Sequence, residues 1–142
     1  MSSWTDKRPM SPHIWIWRWH MTMLGSILHR ATGVANYIGL FLIVGWLFVT
    51  TLGPERYDQF AAIIASIPGQ LVLFGFTLSV CYHALNGVRH LFLDAGAGLH
   101  PKFASFTATL VLIAGIVLAI AIWVLAGLIP GIDPLGFSSA AQ

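Results

Sequence analysis

The sequence predicts an all-α membrane protein, with three transmembrane helices preceded by an interfacial N-terminal arm. Three observations carry this expectation. Of the 142 residues, 57% are hydrophobic and only 8% are charged, giving a mean hydropathy of +0.80, whereas soluble domains carry charge on about a quarter of their residues. Three apolar runs are each long enough, at about 1.5 Å per residue, to cross roughly 30 Å of hydrocarbon. Glycine and proline punctuate the gaps between them, at Gly53-Pro54, at Pro68-Gly69 and through Gly96, Gly98 and Pro101. Some function classes fall away at once. Seven Lys and Arg in total are too few and too scattered for a nucleic-acid footprint. The single cysteine, Cys81, excludes an internal disulfide and any cysteine-ligated zinc or iron–sulfur site made by this chain alone.

The arm is expected over residues 1–22. It lacks the apolar core and small-residue cleavage site of a secretory signal, so it is expected to be retained. Pro9 and Pro12 oppose helix in its first half, and the tryptophans at 15, 17 and 19 suit the depth of lipid headgroups. The first span is expected at about 23–52, a connection with a short surface helix around 57–66 follows, and the second span is expected at about 70–94. The third is expected at about 105–129, followed by a short tail.

Charge sets the expected orientation. Lys7, Arg8, Arg18, Arg30, Arg89 and Lys102 fall on one side of the membrane and Arg56 alone on the other. The positive-inside rule then puts the N-terminus in the cytoplasm, or in the matrix of an organelle, and the C-terminus outside.

The second span carries the chemistry. At about 100° per residue, Ser79, His83, Asn86, His90 and Asp94 fall on one stripe, with Gly87 beside it. Ionisable groups in hydrocarbon are costly and face the bundle interior, which makes His83 a functional-site candidate and its neutral imidazole a possible metal ligand. Counted by residues from Arg89, His83 lies about 9 Å deeper, whereas His29 and His90 are expected near the inner surface. A haem iron on His83 would place its propionates near that surface, within reach of His29, Arg30 and Arg89. With no second histidine expected at the depth of His83, a bis-histidine site needs its other ligand from another chain. Ser26, His29 and Arg30 form a second constellation at i, i+3 and i+4, able to hydrogen-bond a quinone carbonyl and relay protons. The bland readings stay open: Arg89 as a snorkelling charge, Ser26 bonded to its own helix, His90 as a surface residue, and Asp94 undecided. Gly25, Gly33, Gly75 and Gly87 are expected to permit close helix packing.

Three stretches carry a family resemblance: Arg8-Pro-Met-Ser-Pro-His13, Ser26-Ile-Leu-His-Arg-Ala-Thr-Gly33, and His83-Ala-Leu-Asn-Gly-Val-Arg-His-Leu-Phe-Leu-Asp94. With the three spans, they make the chain resemble the cytochrome b membrane-anchor subunit of succinate:quinone oxidoreductase, respiratory complex II. The resemblance implies one membrane-anchor domain over 1–142. It implies His83 as axial ligand to a haem b shared with a histidine of a sister anchor subunit, and His29 and Arg30 at the haem propionates. Ser26 and Arg30 would bind ubiquinone. The implied partners are the second small anchor, an iron–sulfur subunit, a flavoprotein subunit and membrane lipid, with no nucleic acid, and the implied place is a bacterial inner membrane rather than a mitochondrial one. The competing expectations are the anchor of a fumarate reductase and, in a different class, a non-redox structural subunit of a transporter.

Overall fold

The structure, a computed structural model, describes Ile16 and residues 18–127. Four helices follow in order: α1 (Met21–Thr50), α2 (Pro54–Ala65), α3 (Ile67–Asp94) and α4 (Pro101–Leu125). No strand occurs among the described residues. α1, α3 and α4 are long and apolar enough to cross a membrane. Lys7, Arg8, Pro9, Pro12, Trp15, Trp17 and the tail lie outside the described residues.

Prolines expected as breaks instead open helices. Pro54, Pro68 and Pro101 each sit in the first turn of α2, α3 and α4, where a proline loses no hydrogen bond because that N–H has no intrahelical partner. α3 therefore starts at Ile67, three residues before the expected Gln70, with the Ser66 hydroxyl capping it by accepting from the Gly69 amide at 3.4 Å. The elbow between α2 and α3 is tight, because a side chain at Gly69 would run into the Ile63 and Ile64 carbonyls. α1 starts at Met21, inside the stretch expected as arm. α4 runs from Pro101 to Leu125, a four-residue shift toward the N-terminus, and is closed by Gly127 at φ +65°.

α3 is the central element, packed against α1, α2 and α4, while α4 also touches α1. Apolar burial does not drive helices together in lipid, so close approach at small residues and interhelical hydrogen bonds do the holding. Ala108, Gly115 and Ala119 of α4 are buried, and a methyl at Gly115 would sit 3.0 Å from Tyr82 Cα. Gly39 of α1 accommodates the Phe76 ring, which a methyl there would overlap. A methyl added at Gly75, expected among the packing glycines, would meet nothing within 4 Å. Large apolar side chains such as Phe41, Leu71 and Leu91 are more than 60% exposed, as residues facing lipid are. Two polar links tie α3 to α4: Trp123 Nε1 donates to Thr77 Oγ1 at 3.2 Å, and Arg89 donates to the first turns of α4.

Candidate functional site

Ser79, Tyr82, His83 and Asn86 of α3 all reach the backbone of α1. The Tyr82 hydroxyl donates to the Gly25 carbonyl at 3.0 Å, and Asn86 Nδ2 reaches the same oxygen at 3.5 Å. The Ser79 hydroxyl lies 2.6 Å from Asn36 Oδ1 and 3.1 Å from the Thr32 carbonyl. Both helices are thereby fixed in one antiparallel register, with Gly25 facing Tyr82 and Asn86, and Thr32 facing Ser79 and His83.

His83 sits half-buried in the middle of this seam. Its Nδ1 is 3.1 Å from the His29 carbonyl and 3.2 Å from Thr32 Oγ1. A carbonyl can only accept, so Nδ1 carries the ring proton in this arrangement. The Thr32 hydroxyl proton is already engaged by the Leu28 and His29 carbonyls, at 2.8 and 3.0 Å, which leaves its oxygen as a second acceptor. Nε2 of His83 then keeps its lone pair. A histidine whose Nδ1–H is held by a backbone carbonyl, with Nε2 free to donate a lone pair, is the usual form of a metal-ligating imidazole.

The His29 side chain adjoins both His83 and His90. Its ring stacks on His83 with centroids 4.0 Å apart and planes 13° apart, and tilts against His90 at 5.1 Å. The register is the cause. The His29 carbonyl meets His83 Nδ1 while its ring reaches His90, and His20 and Thr22 lie beside Arg89 and His90. These four line one basin of about 580 Å³ at the end of the bundle. Lying face to face with His83, the His29 ring would not join it in holding one metal ion. Its Nδ1 is buried with no hydrogen-bond partner, as is Asn86 Oδ1.

The other expected residues part company. Arg89 turns to α4, its Nε donating to Thr107 Oγ1 at 3.0 Å and its Nη2 to the Ala104 carbonyl at 2.9 Å. It clamps two helices and does not face His83. Arg30 is exposed on α1 and Ser26 is half-buried one turn before it. Unlike Thr32, Thr77 and Thr109, which bond the preceding turns of their own helices, Ser26 makes no such bond among the described residues. Asp94 is exposed, and Cys81 is buried and unpaired. No group of three or more His, Cys, Asp or Glu able to hold a metal ion occurs among the described residues.

Thr32, Asn36 and Tyr82 are the residues that sequence reasoning missed. The first two had a signal: 29, 32, 33 and 36 follow helical spacing on α1 and mirror the stripe on α3.

The family described as succinate dehydrogenase/fumarate reductase transmembrane subunit matches residues 5–122. The succinate dehydrogenase cytochrome b556 subunit of Rickettsia prowazekii is 36% identical over 120 residues, covering 84% of this chain and 93% of that protein. The b556 subunit of Paracoccus denitrificans is 34% identical over 113 residues, 80% of this chain and 87% of its own length. The mitochondrial cytochrome b560 subunit of Sus scrofa is 36% identical over 99 residues, 66% of this chain and 57% of that one. A match over most of the chain, on a bundle of three apolar helices, means that the protein belongs to the succinate dehydrogenase/fumarate reductase transmembrane subunit family.

Proposed function

We propose that this chain is the haem b-binding membrane anchor of a succinate:ubiquinone oxidoreductase in a bacterial inner membrane, with its N-terminus in the cytoplasm. One observation carries the reading: an imidazole inside a membrane helix whose Nδ1–H is pinned to the His29 carbonyl at 3.1 Å, so that Nε2 is left with an available lone pair. His83 would hold the haem iron from one side, and a histidine of a sister anchor subunit would hold it from the other. Bound in this way, a haem supplies a one-electron redox centre within the membrane.

The remaining residues act around that ligand. The His29 ring packs against His83 and limits its rotation, and the unpartnered Nδ1 of His29 together with the exposed Arg30 guanidinium would serve the two haem propionates. Ser26 and Arg30 lie at i and i+4 on α1. With its hydroxyl free of its own helix, Ser26 would donate a hydrogen bond to one ubiquinone carbonyl while Arg30 stabilises charge on the ring oxygen. Reduction of the quinone to quinol takes two electrons and two protons. The electrons would come from succinate through flavoprotein and iron–sulfur subunits docked on the cytoplasmic face, since this chain has neither a dinucleotide-binding loop nor cluster ligands.

The test is His83→Ala in the assembled complex. The reduced-minus-oxidised haem spectrum is expected to vanish or change grossly while the partner subunits still co-purify. An unaltered spectrum removes His83 as ligand, and a parent preparation with neither chromophore nor flavoprotein removes the whole assignment.

A further inference from the structure

We propose that Thr32 is a positioning residue that tunes the haem through His83, an inference that rests on His83 being the axial ligand. Thr32 touches the ligand on the side away from the metal. Its Oγ1 lies 3.2 Å from His83 Nδ1, beside the His29 carbonyl at 3.1 Å, so the Nδ1–H is shared between two acceptors. The hydroxyl cannot rotate to donate instead, because its proton is held by the Leu28 and His29 carbonyls. Its backbone is held too, since the Ser79 hydroxyl meets the Thr32 carbonyl at 3.1 Å and Asn36 at 2.6 Å. Thr32 therefore presents a fixed lone pair to the ring proton.

The consequence has a sign. An acceptor at Nδ1–H draws the proton away from the ring and makes Nε2 a stronger electron donor, and stronger donation favours the ferric over the ferrous iron. Removing the hydroxyl while keeping the branched shape weakens that donation and raises the midpoint potential. The His29 carbonyl remains, so the effect is partial. A shift of up to tenfold in the ferric preference is expected, which is about 59 mV for a one-electron couple.

Thr32→Val and Thr32→Ser in the whole purified complex provide the test, read by equilibrium redox titration of the haem absorbance and by low-temperature electron paramagnetic resonance of the ferric state. The Val variant is expected to titrate at a higher potential with altered g-values, and the Ser variant to match the parent. If Val loses haem altogether while Ser retains it, the hydroxyl is still identified as what holds the ligand. An unchanged Val variant overturns the inference, as does a Ser variant that moves as far as Val or a pair that both lose haem, because the methyl group would then be what matters. His83→Ala separates the two levels: if it keeps its spectrum, the ligand assignment fails. If it loses the spectrum and Thr32→Val leaves the potential untouched, only the role of Thr32 fails.

Discussion

Gly33→Ala should loosen the haem without unfolding the bundle. A methyl at Gly33 would stand 3.2 Å from His83 Cε1, whereas carbon atoms rest at about 3.5–4.0 Å. The imidazole must therefore retreat by about 0.3–0.8 Å. One of its faces is already covered by His29 at a centroid distance of 4.0 Å, and its Nδ1 bonds, at 3.1 and 3.2 Å, are near the long end of the useful range of about 2.7–3.2 Å. A shift of that size carries them out of range. Losing most of both costs about 1–2 kcal/mol at about 1 kcal/mol per net bond, while alanine in a helix returns roughly 0.5–1 kcal/mol over glycine. Overall stability should thus fall little. Haem retention should fall about tenfold, because the misplacement bears on the ligand itself and every 1.4 kcal/mol is about a factor of ten. The assay is the haem-to-protein ratio of the purified complex after a graded dilution or thermal challenge. Gly45→Ala, where an added methyl meets nothing within 4 Å, is the control. Equal haem retention in Gly33→Ala and Gly45→Ala would refute the contact reasoning.

Ser26→Ala and Arg30→Ala should each slow quinone reduction while leaving succinate oxidation with a soluble artificial acceptor intact; equal loss in both assays would point to failed assembly. Arg89→Ala removes two interhelical bonds to α4 and should lower the thermal midpoint of the detergent-solubilised complex, while a redox titration finds the haem potential unchanged, since the side chain faces away from His83. Ser79→Ala deletes the contact with Asn36 and with the Thr32 carbonyl; at about 0.6–1.7 kcal/mol for such bonds in membranes, thermal denaturation should register a loss of about that size. A double-mutant cycle with Asn36→Ala should show the two effects to be coupled rather than additive.

The three spans and the α3 stripe were legible because they depend on counting along one helix. Apolar length gives the spans, and a repeat of three to four residues puts Ser79, His83 and Asn86 on one face. What could not be read was the slide of one helix against another. Charge alone aligns the ends of α1 and α3, Arg30 with Arg89. The register is instead set by Tyr82, Ser79 and His83 bonding the carbonyls of Gly25, Thr32 and His29, and a backbone carbonyl has no side-chain signature. Arg89 was ambiguous for the same reason, as its partners are a carbonyl and a threonine one helix away. The prolines misled in a different way. As residues that cannot continue a helix they read as breaks, yet at Pro54, Pro68 and Pro101 the same missing N–H suits a first turn.

The register and the placement of His83 draw on the same hydrogen bonds. Two apolar helices in lipid gain little from hiding one another, so something polar must say where along its length each should stop. Here α3 donates onto carbonyls of α1 from residues 79, 82 and 83, within little more than one turn. His83 belongs to that set through Nδ1, which leaves the opposite nitrogen for a metal. A histidine that sets the register through one nitrogen cannot drift relative to the helices that hold it, so the proposed ligand would be placed by folding rather than by the metal. The converse also holds. Any substitution that lets α1 slide against α3 must move His83 with it, and so the residues that would govern a haem held there extend to Ser79 and Tyr82, neither of which needs to touch it.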